Sequence, residues 1–238
     1  MTTRRLNDPA LVRAQYASEK NLNARIALWR EMEGPDPKQV LCDTLAAVAP
    51  KRVLEVGGGD GWLSAWLRDE LGCEVTMLDQ SERMVELATE RGLDARVGNV
   101  ESLPFADGAF DTVVAAWMLY HVHDIDRGLS EIVRVLTAGG HLVANTNSRR
   151  HCEEVFDLIK YPREAREWVF NAENGEESLH RHFSDVRREN VVAVATVRDR
   201  ETLVNYQQSM LTETQPVPDH VQLPLRVHSR SVVFVATK

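Results

Sequence analysis

Cysteine is scarce: three residues in 238, Cys42, Cys73 and Cys152, lie far apart with no C-x-x-C pair among them. An odd, scattered set supports neither a disulfide framework nor a cysteine zinc site, and it suits a reducing cytoplasm. Long apolar runs are lacking too. No stretch nears the roughly 18 residues of a membrane span, and the first eleven positions, with Arg4, Arg5, Asn7, Asp8 and Pro9, lead into no apolar signal core. The expectation is a soluble cytoplasmic protein without a membrane partner. Positive charge is also short: Lys and Arg total 28 against 36 Asp and Glu, a net charge of -8. That balance disfavours broad electrostatic capture of nucleic acid, so the expected partner is a small molecule. Internal repeats and low-complexity runs are absent.

What is present is the composition of a globular chain, 43% hydrophobic and 27% charged, long enough for one generous domain. From Pro9 to about Glu33 the pattern is helical, with Leu11, Leu22, Ile26 and Trp29 near one side, until Gly34-Pro35-Asp36-Pro37 stops it. A second apolar-periodic stretch, with Val40, Leu41, Leu45 and Val48, ends at Pro50. Beyond it, short β-rich runs at 52–56, 74–78, 95–97, 112–116 and 141–145 alternate with helical segments at 62–71, 82–91 and 125–136. Strands separated by such crossovers form a doubly wound, Rossmann-like α/β sheet. Residues 148–185 break the rhythm and read as an inserted helical lid; strands at 191–197 and 231–237, with a helix near 199–211, follow. The expected layout is one domain: a helical cap (1–49), a cofactor-binding half (50–147), the lid (148–185) and C-terminal strands (186–238).

Glu55 to Gly61 is the most informative stretch. A buried strand ends in glycines at 57, 59 and 61, where the turn demands unusual backbone angles and a Cβ would block a bound ligand. A dinucleotide fingerprint would need glycine at 62, which is Trp62. Twenty-two residues past Gly57, Asp79 closes the second strand, placed to accept hydrogen bonds from a ribose diol. An ordinary tight turn and a helix-capping carboxylate would explain each feature alone; the two at this spacing point to a nucleoside without a diphosphate.

Five ordered blocks resemble the class I S-adenosylmethionine-dependent methyltransferases, and within them the small-molecule group typified by ubiquinone/menaquinone-biosynthesis enzymes. They are the E-x-G-x-G-x-G loop at 55–61, Asp79, the run Gly98-Asn99-Val100-Glu101-Ser102-Leu103-Pro104-Phe105, the strand starting Phe110-Asp111, and Arg134-Val135-Leu136-Thr137-Ala138-Gly139-Gly140. The resemblance implies a seven-stranded sheet with a reversed last strand and S-adenosyl-L-methionine as cofactor. It places Glu55 and Gly57 beside the methionine and ribose, within the loop that includes Gly59 and Gly61. It puts Asp79 on the ribose, Gln80 and Met84 against adenine, Asn99 on the adenine amino group and Val100 on the ring face. The family more often has aspartate at the position of Asn99, for which a loop-cap role is the alternative, as packing is for Met84.

The segment Ala116-Trp117-Met118-Leu119-Tyr120-His121-Val122-His123-Asp124 follows the fourth strand, at the carboxyl edge where ligands of open sheets bind. Trp117 there is expected at the cofactor, with Tyr120 and His121 as catalytic candidates. His121 has an intrinsic pKa suited to taking a phenol, amine or hydroxyl proton; a backbone-satisfied turn histidine is the competing reading. Asp124 reads as the N-cap of the next helix, and His121 with His123 lacks a third metal ligand. Arg25 and Tyr16 would grip and line the cofactor if the first helix closes over it, although an arginine on an amphipathic helix is often simply solvated. His180 and His182 either touch substrate or lie on an exposed helix face. A nucleic-acid methyltransferase, a nicotinamide oxidoreductase and a non-catalytic cofactor-binding module are the rivals to a small-molecule methyltransferase. The oligomeric state is open.

Overall fold

The computed structural model describes residues 7–8, 12, 20–210 and 214–238, the side chain of Leu22 apart. In chain order the elements are α1 (Lys20–Ala27), β1 (Met32–Glu33), α2 (Pro37–Val48), β2 (Arg52–Val56), α3 (Trp62–Leu71), β3 (Glu74–Asp79), α4 (Glu82–Glu90) and β4 (Asp94–Val97). There follow β5 (Phe110–Ala116), α5 (Ile125–Val135), β6 (Leu136–Asn147), α6 (Glu153–Leu158), α7 (Gly175–His180), β7 (Asp185–Val197), α8 (Arg200–Gln208) and β8 (Leu225–Thr237). Single 3-10 turns at Leu119–His121 and Arg163–Arg166 complete the set.

All eight strands form one sheet in the order β1-β7-β8-β6-β5-β2-β3-β4. The five strands β4, β3, β2, β5 and β6 run parallel. Strand β8 runs antiparallel between β6 and β7, which is the reversed last strand expected from the resemblance. Chain order reverses between β2 and β5, which opens a crevice at their carboxyl ends. Buried parallel strands need apolar residues on both faces. Leu54, Val113, Leu142 and Phe234 face one core cluster, and Val53, Val114, Val143 and Val233 face another. Helix α5 turns Leu129, Ile132 and Val135 onto the first face, and its N-cap Asp124 accepts from Arg127 N at 3.1 Å. The capping role read for Asp124 is therefore its role in the fold.

Three expectations need correction. The sheet has eight strands rather than seven, because Met32–Glu33 pairs with the outer edge of β7. Pairing there satisfies an otherwise open row of backbone groups, yet two residues are too short to show alternation. The N-terminal helix accordingly stops at Ala27 rather than Glu33; Leu28, in the turn that follows it, is buried, while Ile26 is 45% exposed. Leu11 and Tyr16 lie outside the described residues. Strand β6 also starts earlier than expected, since Leu136 already pairs with Phe110 ahead of the Gly139 turn.

Residues 148–185 contribute to two cores. Phe170, Leu179 and Phe183 join the first cluster with Phe234. Cys152, Val155 and Phe156 meet Leu28 of the N-terminal segment and Leu203 and Tyr206 of α8 in a separate cluster. Phe234 is wholly buried, edge-on to Phe170 at 5.9 Å, and so close to Gly175 that a Cβ there would lie 2.8 Å from its ring. Phe234→Ala is expected to cost about 3–5 kcal/mol, the usual range for emptying such a site. Urea unfolding checks this as a lower midpoint at unchanged slope.

Candidate functional site

The crevice is built by the loop after β2. Gly57 N donates to Leu78 O at 2.7 Å and Gly61 N to Gly58 O at 3.1 Å, folding the loop against β3. Gly57, Gly59 and Gly61 all have positive φ (66°, 59° and 77°), where side chains other than glycine are strained. Their surroundings differ. A Cβ on Gly57 would lie 2.7 Å from Met118 Cβ, and one on Gly61 would lie 2.6 Å from Leu93 Cδ1, whereas one on Gly59 would meet nothing within 4 Å. Close ligand approach, expected of all three, thus fits Gly59; Gly57 and Gly61 are held by internal packing.

Asp79 lies across that opening. Its Oδ2 accepts from Gly59 N at 3.0 Å and its Oδ1 from Ser81 N at 2.9 Å. These bonds orient the carboxylate, and the roughly four acceptor positions of its two oxygens leave room for a further donor. Burial raises its pKa, opposed by the backbone bonds from Ser81, Gly59 and Gln80. Glu55, one strand over and buried, accepts from Ser64 Oγ. Loss of hydration pushes its pKa up to about 8 despite that bond, with the Asp79 charge adding to the rise.

The Glu55 shift has a stability consequence with a definite sign. The folded chain holds this proton up to about pH 8, the unfolded chain only to about pH 4.5. Its contribution is therefore complete below pH 4.5 and is lost as pH climbs to 8. Glu55→Gln should flatten the fall in thermal midpoint between pH 5 and 8 in the ligand-free protein. An equally steep fall in the variant would contradict this.

The remaining candidates divide. Gln80 is exposed beside Asp79, at the rim. Met84 is fully buried on α4, whose N-cap Ser81 Oγ accepts from Met84 N at 3.4 Å, so it packs in the fold of the ligand-free chain. Asn99 Oδ1 accepts from Glu101 N at 2.9 Å, the loop-cap arrangement, and Val100 is 5% exposed within the first core. Arg25 lies against α8, where its Nη2 donates to Ser209 O at 3.1 Å. His182 Nε2 meets Asp126 Oδ1 at 3.0 Å, with Arg181 on the same oxygen, and His180 is exposed. His182 and Arg181 thus pin the insertion to the start of α5.

At the end of β5, Trp117 has φ 52°, a left-handed conformation rare for an aromatic residue, and its N donates to Asn145 O at 2.9 Å. Such strain concentrates where a fold aims side chains at a ligand. The turn brings Met118 over Gly57 and leads into Leu119–His121. The Tyr120 ring lies 4.5 Å from that of His121 and 5.6 Å from Trp168 of the insertion, which therefore reaches this edge.

Sequence reasoning gave no role to Glu101, whose Oε1 accepts from His123 N (2.8 Å) and Asp124 N (2.9 Å), clamping the loop after His121. It likewise missed Trp168, which meets Tyr120 from 48 residues away, and Ser64, which bonds Glu55 across the glycine loop. Trp62 lies half-buried at the start of α3, with Lys38 Nζ 4.7 Å over its ring. The three cysteines are unpaired and buried. Among the described residues no cluster of His, Cys, Asp and Glu is suited to a metal, and no helix is long and apolar enough to cross a membrane.

Comparison with known proteins adds to this geometry. Residues 54–144 match the methyltransferase domain family. The ubiquinone/menaquinone biosynthesis C-methyltransferase UbiE of Stenotrophomonas maltophilia is 39% identical over 99 residues, 37% of this chain. The chain spans only 39% of that relative's length. Among solved structures, the Haemonchus contortus phosphoethanolamine N-methyltransferase 2 in complex with S-adenosyl-L-methionine matches 99% of this chain and 60% of its own, with a TM-score of 0.65 and 20% identity. The [4+2]-cyclase SpnF matches 99% of this chain and 98% of its own, with a TM-score of 0.62 and 19% identity. At these identities the likeness is one of fold, and the fold is shared by a methyltransferase and a cyclase.

Proposed function

We propose that this protein methylates a small organic acceptor from S-adenosyl-L-methionine: residues 54–144 match the methyltransferase domain family, and the fold resembles that of a phosphoethanolamine N-methyltransferase solved with S-adenosyl-L-methionine. The observation that carries the reading is the pairing of the open space at Gly59 with the oriented carboxylate of Asp79. A nucleoside sugar needs both, room for its ring and an acceptor for its diol. When bound, the cofactor supplies a methyl group on a sulfonium, which leaves by in-line displacement.

The chain's own contribution is positioning. Gly59 gives backbone room, Asp79 and the exposed Gln80 flank the sugar and base, and Trp117 and Met118 close the side toward β5. The segment ahead of β1 and residues 148–185 act as cap and lid, excluding water, with Arg25 and, outside the described residues, Tyr16 assigned to the cap, while 32–49 belong to the sheet and its core. Asn99 and Val100 shape the base pocket through the loop that Glu101 holds. His121, next to Tyr120 at the carboxyl edge of β5, takes the proton of a hydroxyl, phenol or amine acceptor. His121→Ala should lower kcat by about 10²–10⁴, the usual worth of a general base, while KM for the cofactor stays put.

Quinone-like ring acceptors are the first class to test, because the UbiE relative is named for such a pathway. The direct experiment incubates the protein and deuteromethyl-labelled cofactor with a cell extract, then reads labelled products by mass spectrometry. Label in small molecules supports the proposal. Label in RNA or DNA would redirect it to a nucleic-acid enzyme, and bound but untransferred cofactor to a cyclase-like or silent module.

A further inference from the structure

One face of the sheet changes character along its length. On β6 the side chains facing α2 run Val143, Asn145, Asn147, and on β8 the facing positions are Val233 and Ser231, with Asn145 opposite Val233 and Asn147 opposite Ser231. The valines pack under α2 with Leu41 and Leu45. Beyond them, toward the carboxyl edge of β6, the surface turns polar without acquiring partners. Asn145 is fully buried, and both its Nδ2 and Oδ1 are unpartnered; so are Asn147 Oδ1 and Ser231 Oγ. Buried carboxamides are almost always satisfied. Three neighbouring side chains left unsatisfied on two adjacent strands mark a place shaped for hydrogen-bonding atoms that the chain does not itself provide.

Its position suits an acceptor. Asn145 pairs with Ala116 of β5, and its carbonyl holds the strained Trp117, so it stands across β5 from the glycine loop. Two strand spacings, about 10 Å, separate β6 from β2, so a ligand on Asn145 approaches the crevice from the side opposite Asp79. We infer that Asn145, Asn147 and Ser231 form the subsite that recognises an uncharged, hydroxyl-bearing acceptor. This rests on the methyltransferase reading above. The chemistry follows from the groups: a carboxamide offers a donor and an acceptor, a serine hydroxyl offers both, and none is ionisable. A hydroxyl also donates and accepts, whereas a carboxylate or ammonium would find no countercharge among these three.

The test uses the full chain with S-adenosylhomocysteine bound, hydroquinone as probe and 1,4-dimethylbenzene as the matched arene without hydroxyls, followed by ligand-observed NMR. Wild type should bind hydroquinone and not the dimethyl arene. Asn145→Leu should weaken hydroquinone at least tenfold with S-adenosylhomocysteine affinity, measured by calorimetry, unchanged within twofold. Ser231→Ala, a smaller change on another strand, should weaken hydroquinone about threefold and serves if the first variant does not fold. Equal binding of hydroquinone by wild type and the folded variants, equal binding of the two arenes, or no binding of hydroquinone to the S-adenosylhomocysteine complex overturns the subsite. Failure of S-adenosylhomocysteine itself to bind would instead strike at the methyltransferase reading.

Discussion

Asp79→Ala is expected to weaken S-adenosylhomocysteine by at least about a hundredfold in calorimetry. A carboxylate accepting from two sugar hydroxyls makes two charge-assisted bonds, each worth roughly 1.5–3 kcal/mol, and about 1.4 kcal/mol is tenfold in affinity. The same substitution also releases Gly59 N and Ser81 N, which donate to Asp79 in the free protein. Gly59 N sits beside the cleft and Ser81 N starts α4, so both can turn to water, and the loss of thermal stability should be modest. Large loss of affinity with a small shift in midpoint is thus the signature expected. Affinity within a fewfold of wild type would remove the crevice from its assigned role.

The second large effect separates two glycines that look alike in the sequence. Gly59→Ala places a methyl group into open space at φ 59°, so its cost to folding is the left-handed strain of about 1–2 kcal/mol. The new methyl occupies the room proposed for the ligand, and affinity for S-adenosylhomocysteine should fall at least tenfold. Gly61→Ala meets Leu93 Cδ1 at 2.6 Å and Ala88 Cβ at 3.0 Å in addition to the strain at φ 77°. Overpacking of this kind adds about 1–3 kcal/mol, so Gly61→Ala should be clearly less stable than Gly59→Ala. Its remaining folded molecules should still bind ligand better than Gly59→Ala does. Paired melting curves and calorimetry on the two variants read both halves of the prediction, and the reverse order in either would refute it.

The contrast shows how far the sequence could be read. The β2 strand, its glycines and Asp79 were legible because local rules govern them: apolar runs, positive φ and a carboxylate at a strand end. Which glycine faces a ligand was not, since Met118, Leu93 and Ala88 come from later elements that only the fold brings into contact. Met84 and Asn99 fit adenine contact in sequence, with packing and capping as the alternatives; burial of the first and the hydrogen bond that Glu101 N donates to Oδ1 of the second favour packing and capping. The edge strand Met32–Glu33 was missed because its pairing with β7 depends on chain more than 160 residues away, not on any periodicity of its own. Asn145 was read as the last residue of a strand. Its lack of partners emerges only once β8 is laid beside it.

Strands β7 and β8 pair from Asp185–Thr237 at one end to Val197–Leu225 at the other, whereas β8 pairs with β6 only from Ser231 onward. The far half of that ribbon projects past β6 as a cantilever, and Val197 and Val227 on it are buried with Cys152, Phe156 and Leu203. The cluster on this far half is therefore fastened to the central sheet through continuous, uncut backbone. Pulling it away would require bending the beam rather than swinging a door, so the ribbon should keep its shape while ligands exchange.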